Sequence, residues 1–342
     1  MRIAVVGAGA VGSVLGVLLA RAGHHCVLVA RPDHCAAIRV DGLRLTGCLG
    51  SSTVRVEAVE HLCSAPDLAL LTTKVHDGRA AIEANHAALT GVPLLVVQNG
   101  LSGADIAAEL LPPEQIMGAA AMMAATYLTP GHVEVPFLGR LVVGRRHGPP
   151  DRAVAEVVTV LAAAMPTSAT ANLLGAQWTK LLINLSNALQ ALTGLDDAGF
   201  RDSRPLVRLG SGLVREGFRV AAAAGVRPAS LPDAPVSAIR LLSMLPSPVS
   251  ARVAAHRLRR LAVAGPVVVS TLQSVRRGRP TEIDYLNGEV VRAGRRFGVP
   301  TPLNERVVSL VHEVERSGRS YPPHEVVGLM RHESDHERRI GR

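Results

Sequence analysis

The sequence predicts an α/β N-terminal Rossmann domain with a mostly parallel, doubly wound sheet, followed by an all-α C-terminal domain. The first observation is a βαβ pattern at the amino terminus, whose first turn is rich in glycine. The second is a series of short apolar runs, at 67–74 and 93–100, which end in polar residues. The third is a change to helical periodicity after about residue 150. We place the boundary between the two domains at residue 170.

Composition and charge narrow the possible partners. The chain has 342 residues, of which 48% are apolar, and this is enough for more than one domain. Lys and Arg number 37 against 28 Asp and Glu, so the surface suits anionic ligands. Aromatic residues make up only 2% of the chain, and the arginines are scattered. We therefore expect no nucleic-acid partner, because such binding needs stacking side chains and a clustered basic face.

The uncharged segment 3–20 resembles the core of a signal peptide or a short membrane span. Four glycines interrupt it, and each weakens a helix by about 1 kcal/mol. They are Gly7, Gly9, Gly12 and Gly16. We therefore expect a cytoplasmic protein with a buried first strand and no membrane contact.

The four cysteines all lie in the first fifth of the chain and form no CxxC pair: Cys26, Cys35, Cys48 and Cys63. This pattern predicts reduced thiols rather than a zinc site.

The first turn carries the pattern G-x-G-x-x-G after a predicted strand and before a predicted helix. In such a turn Gly7 makes the tight bend, Gly9 lets the backbone approach a pyrophosphate, and Gly12 lets the helix pack closely on the strand. The amino terminus of the helix offers N–H groups to the phosphates. We expect cofactor contacts throughout this turn, including the intervening Ala8, Ala10 and Val11. The alternative is a flavodoxin-like turn that binds no nucleotide.

The end of the second strand distinguishes the two nicotinamide cofactors. NAD-binding domains place Asp or Glu there to bond the ribose hydroxyl, whereas this chain has Arg31. An arginine attracts a 2′-phosphate, so the sequence favours NADPH/NADP⁺ over NADH. The alternative is that Arg31 is a solvated loop charge.

Two further strands deliver polar residues to the carboxyl edge of the sheet, where ligands bind in open α/β folds. Lys74 ends one strand and could meet a cofactor phosphate or ribose, and Asn99 follows the other and could bond ribose or substrate. An ordinary Asn-Gly turn is the alternative for Asn99. The run 115–125 predicts another strand and a turn, and the alternation at 132–144 is typical of half-buried antiparallel strands.

The stretch KLLINLSNALQAL at 180–192 predicts part of one helix over 175–193. On it Lys180, Asn184 and Asn187 fall on one stripe at i, i+4 and i+7. A plain amphipathic helix is the alternative, but its solvated face is normally built from better helix formers than Asn. We interpret the stripe as a site for a polar ligand, because amides donate and accept hydrogen bonds.

A second cluster, TEIDYLNG at 281–288, follows a Gly-Arg-Pro break. We expect a helix from about residue 280 with Glu282 in its first turn, where a carboxylate is favoured. Glu282 either caps this helix or faces Lys180 across a cleft. The remaining predicted helices are 151–164, 204–225, 235–263, 265–277 and 302–317. In the polar tail, His332 and His336 lack a third ligand, so we expect no metal site.

These motifs together resemble the ketopantoate reductase (2-dehydropantoate 2-reductase) family over nearly the whole chain. The resemblance rests on MRIAVVGAGAVG at the start, Arg31, Lys74, QNG at 98–100, WTKLLIN at 178–184, Ser270 and TEIDYLNG. It implies a Rossmann domain (1–170) for NADP and a helical domain (171–342) for substrate and dimerisation, with the active site in a cleft between them. It also implies reduction of a 2-oxo acid by NADPH, a step of pantothenate biosynthesis.

The resemblance further implies roles for individual residues. Lys180 matches the general acid that protonates the new alkoxide, and Glu282 a carboxylate that helps to bind substrate and nicotinamide ribose. The other implied contacts are Asn184 and Asn187 for substrate, Ser270 near the substrate carboxylate, Asn99 for cofactor and substrate, and Ala124 as a backbone position beside the cofactor. Hydride transfer builds negative charge on the substrate oxygen, and a positioned cationic acid relieves it.

Three departures from the familiar members leave the substrate open. Their second amide lies one residue later than Asn187, and a further amide falls where this chain has Asp197 and Ala198. Extra material lies around 228–262. The substrate is therefore ketopantoate or another small 2-oxo acid or related carbonyl of secondary metabolism. A non-catalytic NADP-binding regulator is disfavoured, because the candidate catalytic residues are all present. The helical domain makes a homodimer plausible.

Overall fold

A computed structural model describes residues 1–232, 234–245 and 268–330. Its contacts divide the chain into two compact units, Met1–Gln177 and Trp178–Arg342, which we call unit 1 and unit 2. The division lies inside a helix, Leu173–Asn184, and so falls a little beyond the boundary at residue 170 that we placed from the sequence.

Unit 1 is built on one ten-stranded sheet. Its strands are β1 (Arg2–Val6), β2 (His25–Val29), β3 (Leu43–Gly47), β4 (Ser52–Val54), β5 (Glu57–Val59), β6 (Leu68–Leu71), β7 (Leu94–Val96), β8 (Ile116–Thr129), β9 (His132–Gly144) and β10 (Thr167–Ala169). The order across the sheet is β4-β3-β9-β8-β7-β6-β1-β2-β5, and β10 pairs with β9. The pairs β8–β9 and β3–β4 are antiparallel, and the others are parallel.

Helices cover both faces of this sheet. They are α1 (Ala10–Arg21), α2 (Pro32–Asp41), α3 (Val75–Glu83), α4 (His86–Leu89), α5 (Gly103–Ala108) and α6 (Arg152–Ala162). Successive side chains of β1 enter different cores: Val5 packs in the core that holds residues of α1, α2 and α6, and Val6 in the core that holds residues of α3, α4 and α5. The doubly wound, mostly parallel sheet that the sequence predicted is confirmed.

The hairpin of β8 and β9 differs from the prediction for 115–144. The strand expected to turn near residue 125 continues to Thr129, and the turn falls at Pro130-Gly131, where Gly131 has a φ of +76°. The alternation at 132–144 belongs to one long strand, whose other edge pairs in parallel with β3 and β10. The end of β9 is buried because α1 and α6 pack against it, although its sequence pattern is that of a half-exposed strand. Strand β10 also lies beyond residue 150, where the sequence showed little strand signal.

The described part of unit 2 is helical, as predicted. Helix α7 (Leu173–Asn184) enters it, and the helices that follow are α8 (Asn187–Thr193), α9 (Asp197–Asp202), α10 (Arg204–Ala223), α11 (Val236–Met244), α12 (Ser270–Arg276), α13 (Asn287–Phe297), α14 (Pro302–Ser317) and α15 (Pro323–Leu329). A short 3₁₀ turn spans Ile283–Tyr285. The second half of the predicted helix 235–263, most of the extra segment around 228–262, and His332 and His336 lie outside the described residues.

The single helix predicted over 175–193 is wrong, because the chain forms two helices with a break at Leu185 and Ser186. Three short polar residues surround the break, and such side chains compete with the backbone for helical hydrogen bonds. Asn187 Nδ2 donates to Asn184 Oδ1 at 3.4 Å across it. Asn187 is the first residue of α8 and so belongs to a different helix from Lys180 and Asn184.

The predicted start of the helix near residue 280 is also wrong, although a helix does end at Phe297. Thr281 Oγ1 accepts a hydrogen bond from the N–H of Ile283 at 3.1 Å, a local turn that competes with helix formation. A 3₁₀ turn follows, and α13 begins only at Asn287. Glu282 therefore lies before the 3₁₀ turn, and its side chain makes no capping hydrogen bond there.

Within the described residues, no helix combines the length and the apolar character that crossing a bilayer requires. Of the four free cysteines, Cys26 and Cys35 are buried, and Cys48 and Cys63 are exposed. Burial raises the pKa of the Cys26 thiol to about 11, which keeps it protonated and unreactive at neutral pH.

Candidate active site

The glycine-rich turn joins β1 to α1 and is closely surrounded at two of its glycines. Gly7 has a φ of +99°, and a Cβ there would lie 2.6 Å from the backbone nitrogen of Thr73. A Cβ on Gly12 would lie 2.4 Å from Thr72 Oγ1 and 2.5 Å from the carbonyl oxygen of Gly7. The tight bend and the close packing expected of these two positions are therefore present in the geometry.

Gly9 differs from both, because the nearest atom to a Cβ there is the carbonyl oxygen of Gly7, at 4.0 Å. Gly9 precedes α1 and has no side chain that could cap the helix. The first turn of α1 contains no acidic residue. The first N–H groups of a helix have no acceptor within that helix. The turn thus leaves an open cradle at a helix amino terminus, which suits the pyrophosphate of a dinucleotide. The same turn contains Ala8, and the first two residues of α1 are Ala10 and Val11.

Two basic residues flank this cradle. Strand β1 lies between β2 and β6, and the chain leaves these two strands through Arg31 and Lys74. Both residues follow the carboxyl ends of parallel strands, where ligands bind in open α/β sheets. The guanidinium of Arg31 is exposed, and its Nη2 lies 4.0 Å from a carboxylate oxygen of Asp77 on α3. Solvent screens such a pair, so Arg31 can turn to another anion at little cost.

Gln98 holds the neighbouring strand end in place, a role that the sequence did not indicate. Its amide nitrogen donates to the carbonyl and hydroxyl oxygens of Thr73, both at 3.0 Å, and to the carbonyl of Lys74 at 3.3 Å. These bonds tie the residue before Asn99 to the strand end that carries Lys74. The sequence feature that could have indicated this role is the second amide, which lies directly beside Asn99 in the run QNG.

A buried histidine is linked to the glycine-rich turn by hydrogen bonds through Ser13. His34 is 2% exposed, and its Nδ1 accepts a hydrogen bond from the N–H of Gly131 at 2.9 Å. Nε2 therefore carries the proton and donates to Ser13 Oγ at 3.2 Å, and Ser13 donates to the carbonyl of Ala8, also at 3.2 Å. Burial lowers the pKa of His34, which favours this neutral form.

Ala124 lies on the part of β8 that extends beyond its parallel partner. The pairing of β7 with β8 ends at Val96 and Gly118, and β8 continues past that edge of the sheet. Ala124 pairs there with Phe137 of β9, next to an irregularity in the strand register. Its backbone is therefore on the carboxyl side of the sheet, the side that also carries Asn99.

In unit 2 the structure brings Lys180 and Glu282 together. Burial lowers the pKa of the Lys180 ammonium to about 8, and the negative charge of Glu282 partly offsets this by raising it. Glu282 itself is 8% exposed. A lysine with this pKa is protonated near neutral pH and releases its proton more readily than an ordinary lysine, as a general acid requires.

The amides and the serine lie at helix ends in unit 2. Asn184 is the last residue of α7 and accepts the hydrogen bond from Asn187 described above. Ser270 is exposed and begins α12, a helix that packs against α8. Asn187 and Ser270 therefore belong to two contacting helices.

Of the 37 lysine and arginine residues, only Lys74 and Lys180 are lysine. Arginine cannot give up its proton at ordinary pH, and its flat guanidinium binds differently from a compact ammonium group. Lysine thus occurs at two positions, one after the carboxyl end of β6 and one beside Glu282.

Solved structures place this chain among enzymes of known architecture. It is similar to a PanE/ApbA family ketopantoate reductase from Ralstonia eutropha JMP134, with 32% identity and a TM-score of 0.76 over 93% of this chain and 99% of that one. It also has the fold of a D-mandelate dehydrogenase solved with NADH and anilino(oxo)acetate, with 23% identity and a TM-score of 0.77 over 93% and 99% of the two chains. Among curated relatives, the 2-dehydropantoate 2-reductase of Halobacterium salinarum is 29% identical over 324 residues, which is 93% of this chain and 100% of the relative.

Fold and site define the class of this protein as a pyridine-nucleotide-dependent oxidoreductase with a Rossmann-type unit. Two family models match the chain, ketopantoate reductase PanE/ApbA over residues 3–148 and its C-terminal model over residues 172–315. The chain belongs to the ketopantoate reductase family.

Proposed function

We propose that the protein is an NADPH-dependent reductase of ketopantoate (2-dehydropantoate), in which Lys180 protonates the oxygen of the 2-keto group to give pantoate. The observation that carries the proposal is the pairing of the partly buried Lys180 with the buried Glu282 in unit 2. The Lys180 ammonium has a pKa of about 8, so it holds a proton at neutral pH and can release it to a developing alkoxide.

The preference for NADPH rests on Arg31. It is exposed at the end of β2, next to the open cradle at Gly9, and its only paired carboxylate among the described residues, on Asp77, is at the limit of an ion-pair contact. A 2′-phosphate carries more charge than this shared carboxylate and accepts from a guanidinium in the same forked geometry. Bound NADPH supplies the hydride.

The remaining candidate residues have binding roles in this proposal. The amides of Asn184 and Asn187 and the hydroxyl of Ser270 bond the polar groups of the substrate, and Glu282 orients Lys180 and bonds substrate and ribose hydroxyls. Asn99 and the backbone of Ala124 serve the cofactor at the carboxyl side of the sheet, together with Lys74.

A second candidate is reduction of a different 2-oxo acid or related carbonyl by the same residues. The position of Asn187 favours it, because this amide begins a separate helix and bonds Asn184. A rearranged amide pair changes which substrate hydroxyl or carbonyl is recognised, while the acid is retained. A regulator that binds NADP without catalysis has no use for a lysine whose pKa is lowered beside a carboxylate.

The test is oxidation of NADPH, and separately of NADH, by the purified full chain with a panel of 2-oxo acids that includes ketopantoate. Fastest turnover with ketopantoate and NADPH supports the proposal. Turnover confined to other 2-oxo acids supports the second candidate. Binding of NADPH without oxidation by any member of the panel supports the regulator and contradicts both reductase proposals.

A further inference from the structure

The segment that carries Glu282 is not part of a regular helix. Thr281 and Glu282 lie between a Gly-Arg-Pro sequence and the short 3₁₀ turn Ile283–Tyr285, and α13 begins only after that turn. Glu282 is nevertheless buried and acts on the charge of Lys180. Contacts from elsewhere in unit 2 must therefore hold the segment in place.

The contact on one side of Glu282 is made by Glu315 near the end of α14. Oε1 of Glu315 accepts a hydrogen bond from the backbone N–H of Thr281 at 2.7 Å. Burial would raise the pKa of Glu315, but this bond and the nearby His312 outweigh it, and the pKa is lowered overall. Glu315 therefore remains an anion at neutral pH and keeps its hold on Thr281.

The contact on the other side is made by His312, one turn earlier on the same helix. Its Nε2 lies 3.1 Å from Asp284 Oδ1, and its Nδ1 lies 2.8 Å from Glu315 Oε2. An ionised carboxylate only accepts hydrogen bonds, and a neutral imidazole has one N–H to give. Both contacts can be hydrogen bonds at once only when His312 is a cation.

The surrounding charges agree with this state. Burial would lower the pKa of His312, but Glu315 and Asp284 together raise it. Helix α8, which also packs against α14, carries no charged residue. Three charged groups on the other elements packed against α14 are engaged with other residues: Glu216 of α10 accepts from Asn304, Arg292 of α13 pairs with Glu289, and Arg295 pairs with Glu305.

We propose that His312 is a positioning residue of the reductase: as a cation it joins Asp284 to Glu315, and so it holds Glu282 where its charge acts on Lys180. Neither His312 nor Glu315 needs to touch substrate. The network fastens the chain on both sides of Glu282 to α14, through the backbone N–H of Thr281 and the side chain of Asp284. A displacement of about 1 Å in a catalytic group can cost about 100-fold in rate. The proposal rests on the proposed function for its effect on turnover, but its effect on Lys180 is measurable without cofactor or substrate.

The experiment compares His312→Gln, which is neutral, with His312→Arg, which keeps a cation able to reach two carboxylates. The first readout is the pKa of Lys180 in the full chain, followed by NMR after labelling with lysine carrying ¹³C at Cε. The chain has only two lysines, so the spectrum contains two signals, and Lys74→Arg assigns them. We expect His312→Gln to lower the pKa of Lys180 further and His312→Arg to leave it near the wild-type value.

The second readout is turnover. We expect His312→Gln to reduce kcat by about 10-fold or more, because the group that acts on Lys180 is displaced. We expect His312→Arg to restore most of the rate. If His312→Gln does not fold, Asp284→Asn serves as the second variant, because it changes a half-exposed side chain. It should also lower the pKa of Lys180.

An unchanged Lys180 pKa in a folded His312→Gln or Asp284→Asn protein overturns the proposal. So does an equal loss of rate in the Gln and Arg variants. If the wild-type chain reduces no 2-oxo acid, the proposed function fails, and the Lys180 pKa still decides whether His312 holds Glu282.

Discussion

Burial and Glu282 act in opposite directions on Lys180. Removal from water lowers the pKa of the ammonium group, and the carboxylate of Glu282 raises it, with a net value of about 8. At neutral pH most of the Lys180 side chains are therefore protonated. The difference from an ordinary lysine, whose pKa is about 10.4, makes the proton easier to transfer.

Removal of the acid should abolish most of the turnover without affecting the cofactor. We expect Lys180→Ala to lower kcat by about 10²- to 10⁴-fold, the usual contribution of a general acid. Lys180→Arg should be nearly as poor, because a guanidinium does not release its proton. Fluorescence titration with NADPH should give a nearly unchanged Kd for both variants. Near-normal turnover in either variant contradicts the role of Lys180 as the acid.

The rate of reduction should fall as the pH rises through about 8, since only protonated Lys180 can donate. Glu282→Gln removes the interaction that raises this pKa, so the fall should occur at lower pH in the variant. Glu57→Gln on the edge strand β5 serves as a control carboxylate, and its profile should match the wild type. Identical pH profiles for the wild type and Glu282→Gln would show that Glu282 does not tune the acid.

Gly9 and Gly12 should respond differently to the same substitution. A Cβ on Gly9 meets no atom within 4 Å except the carbonyl of Gly7 at that limit, so Gly9→Ala should fold normally and bind NADPH more weakly. A Cβ on Gly12 would lie 2.4 Å from Thr72 Oγ1, so Gly12→Ala should lower the free energy of unfolding by about 1–3 kcal/mol. Denaturant unfolding and NADPH titration of the two variants distinguish these effects. Full NADPH affinity in Gly9→Ala would mean that the cradle does not bind the pyrophosphate.

Arg31 should distinguish NADPH from NADH. Its charged hydrogen bonds to a 2′-phosphate contribute about 1.5–3 kcal/mol, so Arg31→Gln should raise the Kd for NADPH by roughly 10- to 100-fold. The Kd for NADH should change little, because that cofactor has a hydroxyl in place of the phosphate. Equal losses for the two cofactors, or a wild-type preference for NADH, contradict the assignment.

His34 should make the stability of unit 1 depend on pH. Its pKa is lowered in the folded state, whereas in the unfolded chain it is close to 6.5. Below about 6.5 the unfolded state therefore binds more protons, and the free energy of unfolding decreases as the pH falls toward the folded-state pKa. Denaturant unfolding of the wild type and His34→Gln at several pH values should show a weaker dependence in the variant. An equal pH dependence of the free energy of unfolding in the two proteins would mean that His34 does not contribute to this dependence.

Local sequence patterns predicted most of the fold and several candidate residues. The strand–glycine turn–helix pattern and the apolar runs before Lys74 and Asn99 depend on near neighbours in the chain, and the structure contains all of them. The binding roles of Arg31, Lys74, Asn99 and Ala124, the domain boundary, the homodimer and the cytoplasmic location stay predictions. The break between α7 and α8 was missed because hydrophobic periodicity continues through it: Leu185 and Leu189 are both buried.

What the sequence by itself determined is the class of each unit and the chemistry of its candidate residues, because glycine-rich turns, apolar periods and a lysine near amides are local or compositional features. What only the tertiary structure decided is which distant residues act on one another. His34 meets Gly131, Thr281 meets Glu315, and Glu282 acts on Lys180. A pKa depends on burial and on charges brought close in space, and neither can be read from positions along the chain. The proposed acid, Lys180, is thus visible in the sequence, but its pKa, and the histidine that we propose maintains it, are properties of the fold.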